Sequence, residues 1–239
     1  MDALLVVLTN PATESAEAAY NDWYQGSHLP DVLRVPGYRR ATRYRSAGGL
    51  GGGPSPFEQQ YLALYELEAA DEAGVQAISD EHMRRIAAGE MRRTDAIDGP
   101  SMRALYYRAV GPRAGQPFGP PGAVFLVFSD PVPGREDEYN AWYQGAHLED
   151  VLAVPGFVAA RRYAVTDVNM LGREWVVPSK YLCVYELDVA DATRLTASLA
   201  ELSRRVGTRD NMRMSDAIDG ASVKAAAFLR HGEPVLAGT

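Results

Sequence analysis

One stretch of this chain is written twice, and that duplication limits the fold more than any other feature. Asn21 to Tyr44 reads NDWYQGSHLPDVLRVPGYRRATRY, and Asn140 to Tyr163 reads NAWYQGAHLEDVLAVPGFVAARRY; at an offset of 119 they agree at 16 of 24 positions. A shared core alone would keep only hydrophobicity and volume. The agreement here includes Trp23/Trp142, Tyr24/Tyr143, His28/His147, Asp31/Asp150 and Arg43/Arg162, so a local geometry or a site is retained as well. The correspondence continues with YLALYELEAAD and YLCVYELDVAD at an offset of 120, and TDAIDG and SDAIDG at 121. This is the signature of an internal duplication with small insertions. The 239 residues divide into a first repeat (1–110), a Pro/Gly-rich linker (111–122), a second repeat (123–230) and a tail (231–239). Each repeat is long enough to bury a core unaided.

Within the first repeat, Ala3 to Leu8 reads as a buried strand, and Thr13 or Ser15 can cap the helix that follows. Gly26 weakens that helix and Pro30 disfavours helical geometry at Leu29, which places His28 at a helix end or kink. PDVL can then restart as a short turn with Pro30 at its first position. Tyr38 to Arg45 is the second strand, and Ser46 to Pro56 a Gly-rich hairpin loop with little structure of its own. Gln59 to Leu67 is the third strand, with Tyr61 and Tyr65 on one face. An amphipathic helix over 69–88 and a closing strand from Ser101 to Val110 complete the unit. The second repeat follows the same order. A βαββαβ unit folds as an antiparallel sheet with both helices on one face. The other face carries Tyr, Leu and Val and needs cover, which a second copy supplies by packing sheet to sheet.

Net charge is −7 and the pI about 5.2. That argues against nucleic acid and anionic membranes as partners, where a basic face is expected. The single cysteine, Cys183, lies in an apolar strand-like run and reads as a small buried hydrophobe. With no disulfide, no leader-like N-terminus and no apolar run of the ~20 residues a membrane helix needs, a cytoplasmic protein is expected.

The pattern WYQGxHLxDVLxVPG, then xxRY, then YLxxYEL resembles the dimeric α/β-barrel superfamily, and within it the EthD-type branch. The likeness spans both halves and nearly the whole chain. It implies an α+β fold of two tandem ferredoxin-like βαββαβ repeats forming an intrachain pseudo-dimeric α/β barrel, as a monomer or a further homodimer. It also implies a small-molecule ligand in the barrel. Known activities of the superfamily include isomerisation of muconolactone-type lactones, polyketide cyclisation or decarboxylation, and cofactor-free oxygenation of phenolic substrates; haem-binding members also exist. Two departures point to unequal pockets. Pro30 in one copy is Glu149 in the other, and the hairpin loops differ completely, the second reading TDVNMLGREWVVPS with Trp175.

His28 and His147 are the leading site candidates. Tyr24 and Tyr143 precede them by four residues, and Asp31 and Asp150 follow by three, spacings that share a helix face. An Asp carboxylate against the imidazole would fix its tautomer and raise its basicity, suiting a general base; capping of a kinked helix end is the structural alternative. Trp23 and Trp142 are core residues or substrate walls. Arg43 and Arg162 either hold a substrate carboxylate or enolate or pair with Glu66 and Glu186. Tyr65 and Tyr185 can offer hydroxyls to a substrate. No clustered metal ligands are present, and no cofactor is expected, with haem through His28 or His147 open on the resemblance alone. The expected function is an enzyme of the lyase, isomerase or cyclase type, using a His base on an apolar aromatic or polyketide-like substrate. A cofactor-free monooxygenase of phenols and a non-catalytic binding protein are the alternatives.

Overall fold

The computed structural model describes residues 1–116, 120–172 and 178–238; Trp175 lies outside them. The first half runs β1 (Asp2–Thr9), α1 (Glu17–Trp23), α2 (Leu29–Val32), β2 (Tyr38–Gly49), β3 (Tyr61–Glu68), α3 (Glu72–Ala87) and β4 (Arg103–Ala109). After a two-residue strand β5 (Ala114–Gly115), the second half runs β6 (Ala123–Pro131), α4 (Glu136–Trp142), α5 (Leu148–Leu152), β7 (Phe157–Val165), β8 (Tyr181–Leu187), α6 (Ala192–Thr208) and β9 (Ile218–Arg230), and β10 (Val235–Leu236) closes the chain. Among the described residues no helix is long and apolar enough to cross a membrane.

Thr13 caps the first helical turn, its Oγ1 accepting from the Ala16 backbone N–H at 3.2 Å. The expected break at His28 is a π turn: Tyr24–His28 widens by one residue, and the Leu29 N–H reaches back to the Tyr24 carbonyl. Pro30 is not its cause, because Tyr143–His147 makes the same turn ahead of Glu149. Gly37 and Gly156 end the helical segments at φ +104° and +95°. A Cβ on either would come within 2.4 Å of Ile78 Cδ1 or Ser198 Oγ, so glycine lets α3 and α6 approach the chain reversal.

The strands of each half pair antiparallel in the order β2-β3-β1-β4 and β7-β8-β6-β9, the order of a ferredoxin-like unit. The two sets do more than face each other. β4 pairs with β7 from Tyr107↔Val165 to Ala109↔Tyr163, and β2 pairs with β9 from Tyr44↔Arg230 to Gly49↔Ala226. The sheet is thus a closed antiparallel barrel, which removes free edges.

The second seam corrects one expectation. The Gly-rich segment after Arg45 is strand as far as Gly49, because Gly48 at φ +106° accommodates a bulge and β9 pairs beyond it. Likewise the linker and tail contribute β5 against β7 and β10 against β2.

Alternation along β1 sorts the core into layers. Ala3, Leu5 and Val7 face outward beneath the helices, in one cluster with Tyr20, Tyr24 and Val75. Leu4, Val6 and Leu8 face the barrel interior and meet Leu62, Val124, Leu126 and Phe228 from both halves. Apolar side chains fill most of the lumen, leaving among them a pocket of about 180 Å³ that Thr42, Glu66, Arg161 and Glu186 also line, below the roughly 300 Å³ of most small-molecule sites.

Candidate functional site

Open space lies on the other side of the sheet. A cleft of about 440 Å³ separates α1 and α3 from the strands of the first half, within the range of small-molecule sites. β1 and β4 supply the floor through Leu5, Val7 and Ala104, and Trp23, Ile86, Met91, Met102 and Met170 wall it. Its polar groups include His28, Tyr24, Tyr65, His82 and Arg92.

The π turn aims His28 into this cleft. The imidazole stacks on Trp23 at 4.6 Å between centroids and meets the edge of Tyr24 at 4.9 Å. Enclosure by these rings, with a smaller effect of His82, lowers its pKa to about 3, so it is neutral at pH 7. The Tyr65 hydroxyl donates to that of Tyr24 at 3.3 Å, and burial raises the pKa of both phenols. Tyr24, His28, Tyr65 and Trp23 thus come together as the sequence suggests. The Trp23 indole is fixed by its N–H on the Arg92 carbonyl at 3.0 Å.

Asp31 does not serve His28. Its Oδ1 accepts from Arg92 at 2.8 Å and from Arg34 at 3.2 Å, and its Oδ2 from the Arg92 backbone N–H and Nε at 3.0 and 2.9 Å. Arg92 thereby holds the carboxyl below the ordinary carboxylate value. The carboxylate ties the segment after α3 to α2 instead of orienting the imidazole. Asp150 is spent in the same way on Arg213.

Arg43 also departs from expectation. Glu66 pairs with Arg40 and Glu186 with Arg113 at 2.5 Å, while Arg43 sits 1% exposed beneath the helix. It donates to Asn21 Oδ1 at 2.8 Å and lies over the rings of Tyr24, Tyr20 and Tyr61 at 4.4, 5.2 and 5.2 Å. Arg162 repeats this with Asn140 and the rings of Tyr143, Tyr139 and Tyr181. Aromatic faces and an amide can hold a buried guanidinium without a carboxylate, and its charge then remains available to nearby groups.

In the second half His147 stacks on Trp142 at 4.5 Å and meets Tyr143 at 4.9 Å. Burial lowers its pKa to about 4, and its buried Nδ1 has no hydrogen-bond partner among the described residues. The Tyr185 hydroxyl donates to Tyr143 at 3.3 Å. Cys183 lies beneath them, its thiol pushed up to about 12 by burial, which fits an inert apolar filler.

A polar group in the first-half cleft escapes the sequence reading. The Tyr38 hydroxyl lies 3.1 Å from His82 Nδ1 and 2.8 Å from the Tyr106 hydroxyl, with Ser79 beside Tyr106. All four residues are buried. At the matching repeat positions stand Phe157, Leu202, Ala227 and Leu199. Sequence comparison of the halves searched for what they share, and this network lies in what they do not.

The hairpin loop of each half leans on the other. Thr166, just after β7, donates from both N and Oγ1 to the Tyr106 carbonyl, and Asp167 N donates to Glu72 Oε1 at 3.0 Å. These bonds bring Met170 and Leu171 over the His28 cleft.

Neither Asp31 nor Asp150 is free to orient a haem-ligating imidazole at His28 or His147. A ligating imidazole ordinarily donates its second N–H to a carboxylate or carbonyl, and Asp31 and Asp150 are already engaged by arginines. No group of three metal-ligating side chains exists among the described residues.

No family model and no curated protein matches the chain. Similar solved structures include an anthrone oxidase-like protein, with a TM-score of 0.55 at 13% identity over 100% of this chain and 94% of that one. A candidate monooxygenase from Fusobacterium nucleatum subsp. nucleatum gives 0.51 at 11% identity over 96% and 92%. At such identities the likeness is one of fold.

Proposed function

We propose that the chain is an enzyme acting without a bound cofactor on an apolar aromatic or polyketide-like molecule, which lies in the first-half cleft with His28 as its base. The observation that carries this reading is the cleft itself. It is an apolar space of about 440 Å³ with a neutral imidazole on one wall and tyrosine hydroxyls at its floor. The imidazole is unprotonated at pH 7 and open to a proton from an acidic phenol or ring CH, but the burial that lowers its pKa to about 3 also weakens it as a base, so the anion formed beside it has to restore that basicity. The proton and the anion it leaves stay close together in a medium of low polarity, where their attraction is strong. The caged Arg43 lies beneath Tyr24 at 4.4 Å, so its positive field favours a phenolate or enolate above the tyrosine hydroxyls.

Such an anion can isomerise, cyclise or lose a carboxyl group. The names of the fold neighbours favour a second outcome, oxidation by O2. A ring CH2 and O2 would become C=O and water, so the substrate supplies all four electrons that O2 takes up and both hydrogens of the water. The repeated WYQGxH motif and the matching strand orders support placing the chain as a tandem pair, 1–110 and 123–230, within the EthD-type dimeric α/β barrels.

The test is O2 uptake and product mass spectrometry with anthrone, alongside ketone and phenol panels run anaerobically. Turnover is expected to fall by about 100-fold or more in His28→Ala, the usual weight of a general base, and to persist in His147→Ala. Binding of panel members without consumption of any would instead mark a carrier.

A further inference from the structure

The polar end of the cleft has no part in a one-base mechanism. His82, Tyr38, Tyr106 and Ser79 come from α3, β2 and β4, yet they converge at one place. Burying such groups costs free energy unless each finds a partner. The second half fills the same positions with Leu202, Phe157, Ala227 and Leu199, all buried, so the fold itself has no need of polarity there.

The hydrogen bonds are compatible with a direction that suits a ligand. Tyr38 O–H can donate only to an unprotonated Nδ1, and Tyr106 O–H can in turn donate to Tyr38. In that arrangement the ring proton of His82 resides on Nε2. Nδ1 being occupied, Nε2 is the nitrogen left for the cleft that His82 helps to line. Burial lowers the imidazole pKa to about 4, so it offers an N–H and not a charge. A chain of T-shaped contacts, His28 to Tyr65 at 6.5 Å, Tyr65 to Tyr38 at 5.9 Å and Tyr38 to His82 at 5.7 Å, joins the two histidines along the floor.

We propose that His82, positioned by Tyr38 and Tyr106, hydrogen-bonds an oxygen of the substrate, so that the first-half cleft selects aromatic molecules carrying a hydroxyl or keto group. This rests on the reading of that cleft as the substrate site. It assigns the two halves different roles: the second, with Leu202 and Phe157 in these places, lacks the selecting group.

Binding of 2-naphthol and of naphthalene, measured by fluorescence titration on the full chain, separates the possibilities. The wild type is expected to prefer 2-naphthol by about tenfold, the scale of one net hydrogen bond in a dry site. His82→Leu and Tyr38→Phe install the residues that the second half already packs. His82→Leu should remove the preference while naphthalene affinity stays within about twofold, a hydroxyl-specific loss that a merely structural role would not produce. Tyr38→Phe should reduce it partly by freeing the tautomer, and it decides the matter if His82→Leu does not fold. A preference that survives both substitutions, or that is lost only in His28→Ala, overturns the inference and leaves the cleft as the ligand site. Failure of both compounds to bind the wild type overturns both readings.

Discussion

His28, His82 and His147 are held neutral by burial, at pKa values of about 3, 4 and 4 against an ordinary 6.5. Unfolding releases them to bind protons as soon as the pH drops below 6.5, whereas the folded chain resists until roughly 4. Their contribution is therefore complete above pH 6.5 and is lost on acidification, by up to about 1.4 kcal/mol per pH unit for each ring. Asp31 and Asp150, depressed by their arginine partners and their hydrogen bonds, add a loss only below the ordinary carboxylate value of 3.8. Thermal melts should fall steeply between pH 6.5 and 4, and less steeply in His82→Leu; a flat profile down to pH 4 would contradict these burials. His28, His147, Asp31 and Asp150 were legible in the repeat and His82 was not; even for the legible ones, the partners were not. Asp31 sits three residues from His28 on the helix, yet its carboxylate belongs to Arg92, 61 residues away. Arg43 and Glu66 lie on adjacent strands, yet Arg43 faces the helix side while Glu66 takes Arg40. Spacing states which residues share a face and is silent on which partner across a gap gets there first.

At the scale of elements, the helix–kink–helix of each half is the device that presents the histidine. Gly26 was read as a weak point, and the kink does fall on it, as it does on Gly145 in the second half, in the form of a π turn. The turn survives the exchange of Pro30 for Glu149, so its origin lies in residues that both copies keep. π turns recur at functional sites because the extra residue re-aims a side chain. A Cβ on Gly26 would meet nothing within 4 Å, whereas one on Gly37 would strike Ile78 at 2.4 Å from a backbone at φ +104°. Gly26→Ala should thus raise stability by up to about 1 kcal/mol, through helix propensity alone, while Gly37→Ala lowers it, both read from denaturant midpoints. Destabilisation by Gly26→Ala would mean that the π turn itself requires glycine. Strand assignment from pattern missed only what pairing creates: the extension of β2 to Gly49, and the short β5 and β10, exist because a partner strand lies alongside.

At the scale of the molecule, the apolar inner faces of the two strand sets meet as the lumen of one closed barrel. The same closure moves the site. The cleft between helices and sheet is larger than the pocket left in the lumen, and the loop of the opposite half, through Met170 and Leu171, completes it. Each half therefore needs the other, for the cover of its inner face and for the roof of its outer cleft. Unequal loops and unequal polar networks then make one outer cleft unlike the other. The central claim is that the aromatic ligand occupies the cleft beside His28, and a crystal structure of the chain with bound 2-naphthol tests it most directly. The ring should lie between Trp23 and Met170 with its hydroxyl against His82 or His28. Ligand density in the lumen, or beside His147 alone, would contradict the account.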